Sequence, residues 1–282
     1  MKADCHIHML LSAGYWKAAI DRHRQSPDIP CIRAVLENYR SKCYVYLRDG
    51  GDRWGVGAAA RALAPEYGIT YRTPLAPLCK AGHYGAFIGT TYENFADYAA
   101  LVRKTRADGG DFIKIMISGL MDFDRAGVLT EDGLPADEIR ELVHIAHEEG
   151  FPVMAHCNGA RTMEAAAMAG VDSIEHGAYA DDAALDTMID AGTIWVPTLS
   201  TVANLRGNGR FNEAAVASIY ETAAKNIRLF ANKGGLLAIG SDAGAWAVPH
   251  GAESEEALLA ELLGSNASDI LSHGNRAIME KF

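Results

Sequence analysis

The segment DFIKIMISG, residues 111–119, predicts a buried β-strand with one lysine in the middle of an apolar run. Nearly continuous apolar residues are typical of a parallel strand that is covered on both faces. Side chains alternate along a strand, so Ile113, Ile115 and Ile117 share one face and Lys114 lies on the other. Because an unpaired ammonium group is costly to bury, Lys114 requires either an ionic partner or a chemical role.

Seven other apolar segments resemble this strand and alternate with amphipathic stretches. The apolar segments are ADCHIHML from Ala3, CYVYL from Cys43, GITYRTPLAPL from Gly68, FPVMAHC from Phe151, VDSIEHG from Val171, TIWVPTL from Thr193 and LLAIGSD from Leu236. The amphipathic stretches are 91–108, 135–150, 159–170, 181–192 and 213–234. Eight strands in alternation with helices predict an α/β fold, a (β/α)8 TIM barrel, that forms one domain over residues 1–282.

The composition excludes several classes of protein. A hydrophobic content of 49% and a charged content of 22% indicate a globular protein with an ample core. The net charge of −10 disfavours nucleic acid as a partner, since phosphates require a basic surface. Neither a membrane-spanning apolar run nor a leader peptide is evident, and the five cysteines contain no CxxC pair. We therefore expect a cytoplasmic protein with free thiols that acts on a small-molecule substrate and does not bind membranes.

Metal-ligand residues recur near the ends of the predicted strands, where TIM barrels carry their chemistry. They are His6 and His8 in the first strand, Lys114 in the fourth, His156 in the fifth, His176 in the sixth and Asp242 in the eighth. Each one alone is more often structural, but the set predicts a metal centre. A desolvated Lys114 has a lowered pKa, and its neutral amine can add carbon dioxide to form an anionic carbamate. The alternative is an ion pair between Lys114 and Asp242 or another carboxylate.

The motifs HIH, DFIKIMISG, VMAHC, SIEHG and GSDAG together resemble the amidohydrolase superfamily of metal-dependent hydrolases. Within it, they resemble the branch of imidazolonepropionase-like and Xaa-Pro dipeptidase-like enzymes. The resemblance implies two divalent metal ions, for which zinc is the expected element. It assigns His6, His8 and Asp242 to the first metal, His156 and His176 to the second, and the carboxylated Lys114 to both.

The resemblance also implies the reaction. A hydroxide that bridges the two metals would attack an amide, a small peptide or a cyclic amide, and Asp242 would act as the catalytic proton shuttle. Hydrolysis of an ester, a lactone or a phosphotriester at the same site is the alternative. A deaminase with one metal, and a non-catalytic barrel that binds a metal or a small molecule, are further alternatives.

Other positions give weaker predictions. Because little sequence flanks the barrel segments, we expect no accessory β-sandwich of the kind that many relatives have, and a homo-oligomer is a reasonable expectation. Loop residues His83 and His250 are predicted to contact the substrate. Arg48 and Asp49 are predicted to form a structural ion pair, and Cys157 is predicted to point away from the site.

Overall fold

Short strands and helices alternate along residues 2–282, which the computed structural model of the protein describes. The strands are β1 Lys2–Ile7, β2 Tyr44–Asp49, β3 Thr70–Arg72, β4 Leu78–Lys80, β5 Thr90–Tyr92, β6 Ile113–Met116, β7 Val153–His156, β8 Ser173–Glu175 and β9 Ile194–Val196. The helices are α1 Trp16–His23, α2 Ile29–Ser41, α3 Val56–Leu63, α4 Phe95–Ala107, α5 Ala136–Glu148, α6 Ala160–Met168, α7 Asp182–Ala191, α8 Leu199–Ala203, α9 Glu213–Asn232, α10 Ser254–Leu263 and α11 Ala267–Lys281. None of the helices in this part of the chain has the length and apolar character needed to cross a membrane.

The strands form a closed barrel of parallel pairs. Two sheets with the orders β1-β2-β3 and β5-β4-β6-β7-β8-β9 make up most of the ring. They meet between β3 and β6, where the amide of Asp111 donates to the carbonyl of Thr73 at 3.0 Å. Residues 236–242 close the other side, since Ala238 bonds to Trp195 in β9 and Ile239 bonds to Cys5 in β1. The predicted (β/α)8 TIM barrel is therefore confirmed.

The third barrel strand differs from the prediction. The sequence predicts one strand over GITYRTPLAPL, but the chain forms two short strands there, β3 and β4. Pro74 and Pro77 lie between them, and proline cannot donate a hydrogen bond to a strand ladder. As a result β3 pairs with β2, β4 pairs with β6, and β5 adds a strand outside the ring that the sequence did not predict.

The eighth barrel position is irregular in its hydrogen bonding. The amide of Ser241 donates to the carboxylate of Asp4 at 2.9 Å, and the amide of Ile239 donates to the side chain of Asn275 at 2.8 Å. Side chains thus replace part of the ladder that regular strands would form. We call residues 236–242 the closing segment.

The side chains of strand β6 alternate between the two faces of the barrel wall as the sequence predicts. Ile113, Ile115 and Ile117 pack in the large apolar cluster with residues of α4 and α5 such as Val102. Lys114 is 1% exposed and lies inside the barrel. Helices α5, α6, α7 and α9 begin and end within two residues of the predicted stretches 135–150, 159–170, 181–192 and 213–234. The stretch 91–108 is wrong at its start, because residues 90–92 form β5 and α4 begins only at Phe95.

The bottom of the barrel interior is closed by aromatic side chains around a buried arginine. The rings of Phe112 and Phe282 lie 5.3 Å apart in an edge-on arrangement. The guanidinium group of Arg48 lies 4.4 Å from the centre of the Phe282 ring, and Arg48 is fully buried. An interior cation at this depth requires an anionic partner, which the candidate site supplies.

Candidate active site

Three side chains converge at the carboxyl end of β1 and the closing segment. Nε2 of His6 lies 3.4 Å from Nε2 of His8, and Oδ1 of Asp242 lies 3.4 Å from the first and 3.3 Å from the second. All three residues are buried, and no group in residues 2–282 donates a hydrogen bond to Oδ1 of Asp242. Oδ1 of Asp242 is an acceptor atom, and each imidazole nitrogen that does not carry the proton is another, so the group can supply three lone pairs to one cation.

The spacing of these atoms fits a tetrahedral metal ion. Zinc holds nitrogen and oxygen ligands at about 2.0–2.1 Å, which separates neighbouring ligand atoms in a tetrahedron by about 3.3 Å. The three distances among His6, His8 and Asp242 are 3.3 to 3.4 Å. Imidazole and carboxylate are also the donor types that zinc binds. The residues therefore fit the metal that the sequence predicts.

A buried ionic network holds His6 in the orientation that this site needs. Glu175 accepts a hydrogen bond from Nδ1 of His6 at 2.6 Å and forms an ion pair with Arg48 at 2.8 Å. The hydroxyl of Ser173 donates to the same carboxylate at 2.7 Å. Since a carboxylate can only accept, Nδ1 of His6 carries the proton and Nε2 keeps its lone pair for a ligand.

Lys114 lies beside this group. Its Nζ atom is 3.3 Å from Nε2 of His6, and within residues 2–282 it forms no ion pair with a carboxylate. The ion pair with Asp242 that the sequence left open is therefore not formed in the described chain. Burial lowers the pKa of Lys114 to about 8, and the nearby carboxylates of Glu175, Asp242 and Asp49 oppose that shift.

Gly50 provides the space for Lys114 and His8. A Cβ atom at this position would lie 2.3 Å from Cε1 of His8 and 2.8 Å from Nζ of Lys114. Such distances are far shorter than van der Waals contact, so any side chain at residue 50 would displace one of the two. Gly50, directly after β2, is therefore part of the site because its lack of a side chain leaves room for His8 and Lys114.

His156 and His176 form a second pair next to the first group. Their ring centres are 4.6 Å apart, and the ring of His176 is 5.1 Å from that of His6. Nε2 of His156 donates to the carbonyl of Gly119 at 3.2 Å, which leaves its Nδ1 atom without that proton. Nδ1 of His176 bonds to the hydroxyl of Thr198 at 2.7 Å, so its Nε2 atom is the free nitrogen.

The imidazoles are held in their neutral form. Burial, followed by the charges of neighbouring groups, lowers the pKa of His6, His8 and His176 well below the usual range. The same causes lower the pKa of His156 to about 3. A neutral imidazole has the lone pair that a metal ligand needs.

Two of the candidate ligands have left-handed backbone conformations. The φ angles are 71° at His176, 57° at Asp242 and 47° at Thr198, which are unusual for residues other than glycine. Each is fixed by hydrogen bonds; the indole of Trp195 donates to the carbonyl of His176 at 2.7 Å. Backbone strain of this kind is typical of functional sites, where it aims a side chain in a required direction.

Asp242 is a buried carboxylate with a raised pKa. Burial raises the pKa of Asp242 to about 7, although the positive charge of Lys114 opposes the shift. Its side chain is 11% exposed and lines the cavity described next. A carboxylate in this environment can take up and release a proton near neutral pH.

The site opens into a cavity of about 490 Å³. The candidate ligands that line it are His8, Lys114, His156, His176 and Asp242. His6 lies directly behind them. All six metal-ligand residues that the sequence predicts are thus brought together at the carboxyl ends of the strands. Whether they bind metal stays a prediction.

The two predicted substrate contacts do not line this cavity. Nδ1 of His83 contacts the carboxylate of Glu131. The next residue, Tyr84, faces the cavity, and the centre of its ring lies 4.9 Å from that of His156. His250 is tied to the carbonyl of Leu11 at 2.9 Å. Their contact with a substrate remains a prediction.

The predicted ion pair between Arg48 and Asp49 is wrong. Neighbouring residues on a strand point to opposite faces, and Arg48 pairs across the barrel with Glu175 instead. Asp49 accepts hydrogen bonds from the amide of Met9 and the hydroxyl of Thr73. Sequence reasoning missed Glu175, although the polar alternation of Ser173 and Glu175 around Ile174 was a signal for it.

Cys157 and Asn158 have separate positions. Cys157 is buried in the apolar cluster between the barrel and the helices, as predicted. Asn158 instead lines the cavity, donates to the carbonyl of Gly119 at 3.1 Å and accepts from the amide of Gly177 at 3.1 Å. It therefore links the loops that follow β6, β7 and β8.

Comparison with known proteins identifies the family and agrees with the fold. The model of the amidohydrolase family matches residues 63–278, and the chain therefore belongs to this family. The matched range begins after β1, so His6 and His8 lie outside it.

The match to relatives found by sequence covers less than half of the length of each relative. An ochratoxinase of Aspergillus niger is 29% identical over 129 residues, which are 44% of this chain and 25% of the fungal protein. An uncharacterised protein of Mycobacterium bovis is 30% identical over 146 residues, which are 48% of this chain and 38% of that protein.

Solved structures agree over almost the whole chain. A crystal structure of an Xaa-Pro dipeptidase with bound methionine superposes with a TM-score of 0.78 at 23% identity and covers 99% of this chain and 75% of that chain. The crystal structure of the A. niger ochratoxinase gives a TM-score of 0.77 at 19% identity, with 98% and 70% covered. These similarities concern the fold.

Proposed function

We propose that the protein is a metal-dependent hydrolase that cleaves carbon–nitrogen bonds in small amides, peptides or cyclic amides. The observation that carries this proposal is the group of His6, His8 and Asp242, whose candidate ligand atoms lie 3.3 to 3.4 Å apart beside an open cavity. Membership of the amidohydrolase family supports the same class of reaction.

The proposed centre holds two divalent cations, with zinc as the first candidate. His6, His8 and Asp242 would bind the first cation through Nε2, Nε2 and Oδ1. His156 and His176 would bind the second through Nδ1 and Nε2, the nitrogens that their other hydrogen bonds leave free. Lys114, converted to a carbamate by carbon dioxide, would bind both, because its amine is deeply buried beside His6 and is not paired with a carboxylate in residues 2–282.

Metal ions bound here would lower the pKa of a water molecule and polarise the carbonyl group of the substrate. Asp242 would accept the proton of that water at its carboxylate and donate it to the leaving nitrogen. Glu175 and Thr198 would hold the imidazoles of His6 and His176 in place. Apolar cavity walls would limit the access of bulk water.

The cavity argues for a catalytic centre over a purely structural metal site. Structural zinc sites are closed by four protein ligands, whereas catalytic sites keep a position open. Here, the candidate ligand residues face a cavity of about 490 Å³, which is in the range of small-molecule sites.

The first test is the metal content of the wild type and of Lys114→Ala, purified without chelator and with bicarbonate. We expect about two metal ions per chain in the wild type and a clear reduction in the variant. Lys80→Ala is the control, because Lys80 forms an ion pair with Glu138 and does not line the cavity. One metal ion per chain in both wild type and Lys114→Ala would contradict the two-metal centre.

The second test assigns the bond that is cleaved. Metal-loaded protein and Asp242→Asn are assayed on a panel of small amides, dipeptides and lactones. We expect the wild type to hydrolyse amides and the variant to lose most of this activity. Hydrolysis of lactones without any amide would replace the proposal by the ester-hydrolase alternative, and full activity of Asp242→Asn would remove its role as proton shuttle.

A further inference from the structure

The wall of the cavity above the candidate ligands is strongly aromatic. Trp16, Phe87, Phe123, Phe211 and Trp246 all line it. Trp16 and Trp246 are 39% and 40% exposed and lie around one cavity with the other three rings, and a contiguous exposed apolar surface of this kind marks a binding site. An aromatic wall of this size favours a ligand with a ring of its own, since aromatic pairs contribute beyond the area that they bury.

One cation lies among these rings. The guanidinium group of Arg210 stacks at 3.5 Å from the centre of the Trp246 ring and lines the same cavity. It forms no ion pair with an acidic side chain in residues 2–282. Stacking fixes the guanidinium plane and leaves its N–H groups free to bind a planar anion.

The acidic residues of the lining are already engaged. Asp122 forms an ion pair with Arg125 at 2.6 Å, and Asp124 accepts a hydrogen bond from the amide of Asn212 at 2.8 Å. Asp122 is therefore neutralised by Arg125, whereas Asp124 is held by the residue that precedes α9 and keeps its charge. Arg210 is a cation of the outer wall that forms no ion pair within residues 2–282.

We propose that this cavity selects amides that carry both an aromatic ring and a carboxylate. The carboxylate binds to the N–H groups of Arg210, and the ring packs between Trp246 and the other aromatic side chains. This inference rests on the proposed function, because the scissile amide is placed over the candidate metal ligands. It adds a binding site for the substrate carboxylate, which the candidate metal ligands do not provide.

The test compares two amides that differ by the carboxylate alone. N-benzoyl-L-phenylalanine has the ring, the amide and the carboxylate, whereas N-phenethylbenzamide has a hydrogen atom in place of the carboxylate. Hydrolysis of both by the metal-loaded wild type, by Arg210→Gln and by Arg206→Gln is measured as kcat/KM. Arg206 is the matched control, since it stacks on Tyr220 at 3.9 Å in the same loop but does not line the cavity.

We expect the wild type to prefer the carboxylate substrate by about tenfold to a hundredfold, the usual effect of one hydrogen-bonded charge. Arg210→Gln should abolish this preference by lowering kcat/KM for N-benzoyl-L-phenylalanine much more than kcat/KM for N-phenethylbenzamide, and Arg206→Gln should behave as the wild type. Equal preference in the wild type and in Arg210→Gln, or an equal loss in the two variants, would overturn the inference while the hydrolase function stands.

Binding decides the inference if neither amide is hydrolysed. Calorimetry of N-benzoyl-L-phenylalanine with the metal-loaded proteins should then show at least tenfold weaker binding to Arg210→Gln than to the wild type and to Arg206→Gln. Identical binding to all three proteins would overturn the inference. Selective loss in Arg210→Gln, together with no hydrolysis of any amide, would instead contradict the proposed function alone.

Discussion

Glu175 is not a candidate metal ligand, but we expect it to raise the metal affinity of the site through its hydrogen bond to His6. The substitution Glu175→Gln keeps the size of the side chain but removes the charge that faces Nδ1 of His6 at 2.6 Å and Arg48 at 2.8 Å. One amide oxygen cannot accept from both donors, and the new NH2 group faces a donor in either orientation. His6 therefore loses its fixed tautomer, or Arg48 is left without a partner.

Loss of such a partner behind a metal-binding histidine weakens metal binding by about tenfold to a hundredfold. In free energy this corresponds to about 1.4–2.8 kcal/mol, at about 1.4 kcal/mol for each factor of ten. The contacts place the expected effect in the upper half of that range, because all three residues are completely buried and water cannot replace the lost bond.

The assay is competition for Zn²⁺ between the protein and a chromophoric chelator at pH 7.5, on samples whose fold is verified by circular dichroism. Glu255→Gln is the matched control. Glu255 is also buried, but it accepts from the backbone amides of Leu199 and Ser200 and not from an imidazole in residues 2–282. A Zn²⁺ affinity of Glu175→Gln within twofold of the wild type would refute the reasoning, as would an equal loss in Glu255→Gln.

Two further predictions concern Gly50 and Asp172. Gly50→Ala should weaken Zn²⁺ binding by about tenfold or more, because the new Cβ atom would lie 2.3 Å from His8 and 2.8 Å from Lys114. Gly14→Ala is the control and should bind Zn²⁺ as the wild type does, because its Cβ atom would meet a single atom of the described chain, at 3.9 Å. Equal Zn²⁺ affinities of the wild type and both variants would contradict the prediction. Asp172→Asn should lower the free energy of unfolding by about 1–3 kcal/mol at pH 7, because the carboxylate accepts hydrogen bonds from a histidine of α5, a lysine of α11 and a backbone amide of β7. Burial raises the pKa of Asp172, but these hydrogen bonds outweigh burial and bring the pKa below its ordinary value. The stabilisation is therefore present above the unfolded-state pKa of about 3.9 and is lost as the pH falls through the folded-state pKa. Urea unfolding at pH 7 and pH 3.5 checks this, and a difference between wild type and variant that grows at the lower pH would show the sign to be wrong.

Strand periodicity accounts for what the sequence predicts well. In β6, three isoleucines alternate with Lys114, and the structure places the isoleucines under the helices and the lysine inside the barrel. The candidate ligands were predicted because parallel strands of a barrel end on one side, so that distant residues such as His6 and Asp242 meet. Both inferences use only the period of two and the direction of the strands.

Contacts across the barrel interior were not predictable in the same way. Arg48 and Glu175 are separated by 127 residues, and nothing in the local sequence of either one indicates its partner. The aromatic wall with Arg210 was missed because loop residues carry no periodic pattern, and their convergence depends on how long loops fold back over the barrel. The break in the third strand, by contrast, had a visible signal in Pro74 and Pro77.

The closing segment gives the barrel a seam of lower local stability at the position that carries Asp242. Between Leu236 and Asp242, amides bond to the side chains of Asp4 and Asn275 where other strands bond to backbone carbonyls. Regions of this kind open without global unfolding, so amide hydrogen exchange should be faster here than in β7 or β8. The same local openings would release Asp242 from a bound ion while the other candidate ligands stay in place. The rate at which that ion exchanges with solution would then follow the rate at which the closing segment opens.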